Sequence, residues 1–150
     1  MNLEWHGHEE VGTSKAQLWA FISDPKSVAD CVPDLVEAVV EDATHFDAIV
    51  SVGVGPVRGK FKLKIELEPQ SDGNRMNMKI SGGGLGSTVD LLAGADLTDH
   101  GATTSLDWTG TATMRGKIAS LAGRVIDAQA QRVITTTFAN VKARCASSSA

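Results

Sequence analysis

From Asn2 to Gly12 apolar and polar residues alternate, with Leu3, Trp5 and Val11 on one parity and Glu4, His6, His8 and Glu10 on the other. That period of two predicts a strand buried on one face. The period then changes. Ser14 is followed three residues later by Gln17, the spacing of a capping box, and Leu18, Trp19, Phe21 and Ile22 follow at helical intervals, which predicts a short helix from Ser14. Asp24-Pro25 starts a second short helix, because Asp accepts bonds from free amide groups and proline loses nothing at the first helical position. The helix should end before Pro33.

Period two dominates from Leu35 to Met114, cut by turn clusters at Glu41–His45, Val54–Pro56, Gln70–Asn74, Gly82–Gly86 and Asp99–Gly101, so six more strands are expected. The clearest is Arg58–Glu68, where Phe61, Leu63, Ile65 and Leu67 alternate with Lys60, Lys62, Lys64, Glu66 and Glu68. If Gln70–Asn74 closes a hairpin, parity requires inward residues to face inward ones, and we expect Leu67 opposite Met76, Ile65 opposite Met78 and Glu68 opposite Arg75. The run Gly82-Gly83-Gly84-Leu85-Gly86 suggests a phosphate loop, but no Lys-Ser pair and no helix follow it; a flexible hairpin or a sharp sheet bend is the better reading.

After Gly116 helical spacing returns for nearly thirty residues, and Ile118, Leu121, Ala122, Val125, Ile126, Ala130, Val133, Ile134, Phe138 and Val141 form one wide apolar face. One long helix is expected, with Arg124, Asp127, Gln131 and Lys142 on its far side. These elements predict a single α+β domain over residues 1–145, a curved seven-stranded antiparallel sheet around a long C-terminal helix with two short helices after the first strand. Residues 146–150, Ala-Ser-Ser-Ser-Ala, have nothing to bury and are expected to form a flexible tail.

Composition narrows the function classes. A chain of 150 residues with 42 % hydrophobic and 21 % charged residues can bury a full core without staples. Its net charge of −4 argues against nucleic-acid binding. Two distant cysteines, Cys31 and Cys145, make neither a disulfide framework nor a zinc pattern. The N-terminal residues lack a basic stretch and an apolar run, so we expect a cytoplasmic protein, peripheral at a membrane's inner face at most.

Three segments carry a family likeness: Asp24-Pro25 followed by Ala29-Asp30-Cys31-Val32-Pro33; Val52-Gly53-Val54-Gly55-Pro56-Val57-Arg58-Gly59-Lys60-Phe61; and Gly116-Lys117-Ile118-Ala119-Ser120-Leu121 with Arg124. With the element order, they make the chain resemble the carbon monoxide dehydrogenase G-subunit family, within the helix-grip or START/Bet v 1-like superfamily, over almost its whole length. The family often has glycine after the proline of the first motif, where this chain has Asp34. The resemblance implies a non-catalytic accessory protein of a molybdenum-hydroxylase system, concerned with its maturation, its membrane attachment or its electron hand-off. It also implies an apolar cavity between sheet and terminal helix. No cofactor is implied.

The residues themselves suggest how such a protein works. Phe61, Leu63, Met76, Met78, Leu91, Trp108 and Met114 on the inward parity, with Leu121, Val125 and Gln129 of the helix, are candidates to line a pocket for a hydrophobic small molecule, lipid-like or quinone-like, since methionine adapts to irregular partners and aromatic rings offer flat stacking surfaces. Arg58, Lys60, Lys62 and Lys64 share one outward parity and Arg75 and Lys79 the next, a basic patch suited to an anionic membrane or the partner enzyme, or else a solvated, edge-protecting sheet face. His6, His8 and Glu10 point to one side of their strand, but on its solvated parity, so no metal site is expected. Cys31 sits in an apolar stretch and reads as a small buried hydrophobe. The rival readings are a cyclase- or dehydratase-like enzyme, for which Gln129 is the one polar candidate in the pocket, and an assembly factor with a filled core.

Overall fold

A computed structural model describes residues 1–54, 57–70, 72–121 and 123–148. Gly55-Pro56 of the second motif, Ser71 of the expected turn, Ala122 of the helical face and the last two residues of the tail lie outside the described residues. The elements in order are β1 (Asn2–Val11), α1 (Lys15–Ile22), α2 (Pro25–Ala29), β2 (Leu35–Val40), β3 (His45–Val54), β4 (Val57–Pro69), β5 (Arg75–Gly84), β6 (Ser87–Asp99), β7 (Thr104–Gly116), a 3₁₀ turn (Lys117–Ser120) and α3 (Gly123–Ser148). The strands form one antiparallel sheet in the order β1-β7-β6-β5-β4-β3-β2. The local signals act as their chemistry requires: Ser14 caps α1 by accepting from the Gln17 amide, and Pro25 opens α2.

The long C-terminal helix is interrupted near its start. Gly116 has φ +82, the Lys117 amide donates to the Gly86 carbonyl and the Ile118 amide to Ser87 Oγ. This pins a 3₁₀ turn to the β5–β6 hairpin, and Leu121 is extended, so α3 begins only at Gly123. The face expected to run continuously from Ile118 is therefore broken. Val125 is the casualty: it is 41 % exposed, while its neighbour Ile126 is buried. At the other end the backbone of residues 146–148 continues α3.

The β4–β5 hairpin keeps its parity but not the expected register. Leu67 faces Met78, Ile65 faces Ile80, and Pro69 faces Met76, two residues from the expected pairing. The Gln70 amide donates to the Arg75 carbonyl and the Asn74 amide to the Asp72 side chain, with Gly73 at φ +71. The local Asp72 bond tightens the connection, so pairing runs further toward the tip than the turn residues alone suggest. A slip of two leaves each side chain on its own face.

The glycine run holds a hairpin, one of the two expected readings, but its turn is narrower than the Gly82–Gly86 cluster. Gly82 and Gly83 pair with both β4 and β6 and Gly84 with β6, so only Leu85 and Gly86 turn the chain, both with positive φ (+56 and +74), as in a type I′ hairpin. A Cβ on Gly82 would lie 2.0 Å from the Lys62 carbonyl oxygen and one on Gly83 2.0 Å from that of Ser87. The glycines let three strands close together where any side chain would collide.

The core is divided. One buried cluster gathers Trp5, Val57, Phe61, Ala112, Met114, Ile118 and Ile126; a second gathers Val11, Leu18, Cys31, Leu97, Leu106, Val141 and Cys145; a third gathers Ala29, Phe46, Ala48, Ile65, Leu67 and Met76. Domains of this size usually have one contiguous core. Here half-buried residues, Leu63, Trp19 and Ile22 among them, make the connections.

Candidate functional site

The half-buried surface that joins these clusters is the candidate site. α3 is buried at both ends, by Ile126 in the first cluster and by Val141 and Cys145 in the second. Between them Gln129, Ala130, Val133, Ile134, Thr137 and Phe138 are only half-buried. The backbone of α3 comes closest to β1, α1 and β3 and stands away from the middle strands. On the sheet's inner face opposite, Leu63, Met78, Ile80, Leu91, Ala93, Ala95 and Trp108 are likewise half-buried, although inward positions under a covering helix normally pack to crystal density.

Polar ties along α3 hold this geometry. Trp5 Nε1 donates to Asp127 Oδ1 at 2.7 Å, Arg132 to Asp34 Oδ2 at 2.8 Å, Asn140 Nδ2 to the Cys31 carbonyl at 3.0 Å, and Lys142 Nζ pairs with Glu9 Oε1 at 2.8 Å. Asp34, in place of the family glycine, has φ +61. It keeps the left-handed backbone a glycine would adopt freely and adds a carboxylate that reaches α3.

Among the residues expected to line a pocket, the fold brings Leu63, Met78, Leu91 and Trp108 together on the half-buried inner face. Phe61 and Met114 are buried in the first cluster, against which Leu121 packs, and Met76 in the third. Gln129 is half-buried on α3, and Val125 faces solvent. Reading the sequence missed Ile80, Ala93 and Ala95, whose parity marked them, and Phe138, whose ring lies 5.5 Å from that of Trp108 at a 30° tilt. The Trp108 indole rests over Gly7, where a Cβ would lie 2.5 Å from Cζ2; its Nε1 is buried with no hydrogen-bond partner among the described residues.

The outer face differs in kind. Two open depressions there, of about 530 and 400 Å³, are lined by residues such as Lys64, Glu66, Lys79 and Leu92 in one and Val39, Ile49 and Lys62 in the other. Neither lies under α3, and charged side chains border both. Of the six expected docking residues, Arg75 pairs with Asp96 at 2.9 Å and Lys79 with Glu68 at 3.4 Å. Arg58, Lys60, Lys62 and Lys64 are exposed and have no ion-pair partner among the described residues. Of the six, the four on β4 are thus the ones without an ion-pair partner among the described residues, and Lys64 lies opposite Asp47 in the register.

His8 is held by Asp107 at Nδ1 and Glu10 at Nε2, both at 2.7 Å. The hydrogen bonds to Asp107 and Glu10 raise its pKa above the ordinary imidazole value, and those from Ser105 and His8 lower that of Glu10. His6 stays exposed on the same face. Burial pushes the Cys31 thiol up to about 11, which keeps it protonated near neutral pH.

A sequence profile of the carbon monoxide dehydrogenase G-subunit family, CoxG, matches residues 7–146. The chain belongs to that family. No curated protein matches the chain significantly. Among solved structures, a conserved protein from Geobacillus kaustophilus superposes with a TM-score of 0.87 at 22 % identity, covering 97 % of each chain. A START superfamily protein from Mycobacterium smegmatis gives 0.75 at 10 % identity over 96 % of this chain and 97 % of its own, and the Zhui aromatase/cyclase from Streptomyces sp. R1128 gives 0.67 at 14 % over 97 % and 94 %. At these identities the likeness establishes the fold, START/Bet v 1-like. Among the described residues no helix is long and apolar enough to cross a membrane.

Proposed function

We propose that this member of the CoxG family is a non-catalytic accessory protein of a molybdenum-hydroxylase system, and that it holds a lipid-like or quinone-like molecule between α3 and the sheet. The observation that carries the reading is the half-buried apolar face under the middle of α3, with Leu63, Met78, Leu91 and Trp108 opposite Ile134 and Phe138. An apolar molecule there would join three separate clusters into one core and remove the remaining surface from water, at about 25 cal/mol per Å². The basic row Arg58, Lys60, Lys62 and Lys64 serves attachment to an anionic membrane or to the partner enzyme, as the family's association with carbon monoxide dehydrogenase suggests.

The test is native mass spectrometry of the purified protein, followed by organic extraction of whatever it carries. A bound apolar molecule, lost or exchanged in variants that fill the groove such as Ala93→Leu, supports the reading. A protein that emerges empty and takes up no apolar probe would be an assembly factor, and the groove would have no ligand.

A further inference from the structure

The β5–β6 tip breaks a sequence rule without local compensation. Type I′ turns favour Asn, Asp or Gly at both central positions, because each has positive φ; here the first is Leu85, at φ +56. A bulky residue held there stores backbone strain and persists where surrounding structure or function keeps it. Its side chain lies against Gly59, where a Cβ would be 2.9 Å from Leu85 Cδ2, yet it remains 40 % exposed.

The neighbours of this tip are cationic. Gly59 lies between Arg58 and Lys60, the Lys117 stem passes 3.6 Å from a Cβ position at Gly86, and the Lys117 amide is bonded to the Gly86 carbonyl. The same end carries the start of α3, because Leu121 and Ile126 pack into the cluster of Val57, Phe61 and Ile118. There Arg124 is exposed and Val125 is 41 % exposed. Arg58, Lys60, Lys117 and Arg124 have no ion-pair partner among the described residues. Four exposed cations without an ion-pair partner and two exposed apolar side chains, on a chain of net charge −4, thus belong to the elements that meet at this end.

We infer that attachment is centred on this end of the β4 row, which meets an anionic lipid surface, with Leu85 and Val125 entering the headgroup region and Arg58, Lys60, Lys117 and Arg124 contacting lipid phosphates, while Lys62 and Lys64 further along the strand contribute less. The inference rests on the attachment role proposed above and names its surface. Charge complementarity selects the occupant, and shape selects lipid over protein. A single apolar side chain on a narrow hairpin tip suits a deformable interface, whereas a specific protein partner needs about 800 Å² on each side. Leu85, Val125 and the four cations are not among the half-buried residues of the groove, so docking and ligand binding can be perturbed separately.

Sedimentation with phosphatidylcholine vesicles, with and without phosphatidylglycerol, tests the inference. The parent should bind only the anionic vesicles. Leu85→Asn should weaken binding about tenfold through lost apolar insertion. Its melting temperature should hold or rise, because Asn tolerates positive φ. Arg58→Gln, Lys117→Gln and Arg124→Gln together should weaken it about 100-fold, at about fivefold per cation, and added salt should shrink that difference. Lys62→Gln with Lys64→Gln should cost less than the three-cation variant. The inference is overturned by a parent that ignores anionic vesicles, by Leu85→Asn binding as the parent does, or by the Lys62 and Lys64 pair mattering more, which would return attachment to the sheet face. Retention of the parent by the partner enzyme with loss of all vesicle binding would assign this end to a protein instead. Failure of the ligand reading registers separately, as an empty groove with vesicle binding intact.

Discussion

Replacing Trp108 by alanine separates a ligand groove from a filled core. The ring rests over Gly7 and beside Phe138 and is half-buried. A fully packed tryptophan buries about 150–250 Å², so a half-buried one keeps roughly 80 Å² more than alanine out of water, or about 2 kcal/mol at 25 cal/mol per Å². In a sealed core a cavity contribution adds to this, and large aromatic truncations cost about 3–5 kcal/mol. Here the vacated volume would open onto the space under α3, so that contribution is absent. We expect a loss of about 2 kcal/mol in urea titration, together with a change in the affinity of an apolar fluorescent probe. A loss above about 4 kcal/mol with unchanged probe binding would mean that the ring is ordinary core, and would remove the basis for the groove.

Further expectations concern single positions. Gly83→Ala should cost more than about 3 kcal/mol or prevent folding, because its Cβ would lie 2.0 Å from the Ser87 carbonyl oxygen; a mild effect in thermal melts would show that β5 and β6 can separate there. Asp34→Gly should leave stability within about 0.5 kcal/mol, since relief of the positive φ offsets loss of the exposed Arg132 pair, whereas Asp34→Ala loses the pair and keeps the strain; equal melting temperatures for the two variants would contradict this. His8 should titrate above the ordinary imidazole value by NMR, and Asp107→Asn should bring it back down. Because the folded-state value is raised, the stabilisation it brings is present below pH of about 6.5 and is lost as pH rises through the folded value; a His8 titration unaffected by Asp107→Asn would dissociate the shift from that contact.

Most of the fold was legible because period and punctuation are local properties. The alternation of Phe61, Leu63, Ile65 and Leu67 with lysines and glutamates put β4 half in the core, Ser14 with Gln17 started α1, and the order of strands and helices admitted one antiparallel sheet around one terminal helix. The basic row on β4 was equally visible, since outward parity needs no partner to define it. What a side chain meets across space was not legible. The β4–β5 register depended on how tightly Asp72 and Gly73 turn the chain, and Gly82–Gly84 became a strand because neighbouring backbones approach too closely for any Cβ. Val125 left the apolar face because contacts at Gly86 and Ser87, some thirty residues earlier, pin the chain before α3 begins. Whether the space under α3 is filled could not be read from the residues, for Leu63, Met78, Leu91 and Trp108 carry the same pattern in either case. Only the ties from Asp127, Arg132, Asn140 and Lys142, which hold α3 near the margins of the sheet and away from its middle, decide that they stay half-buried.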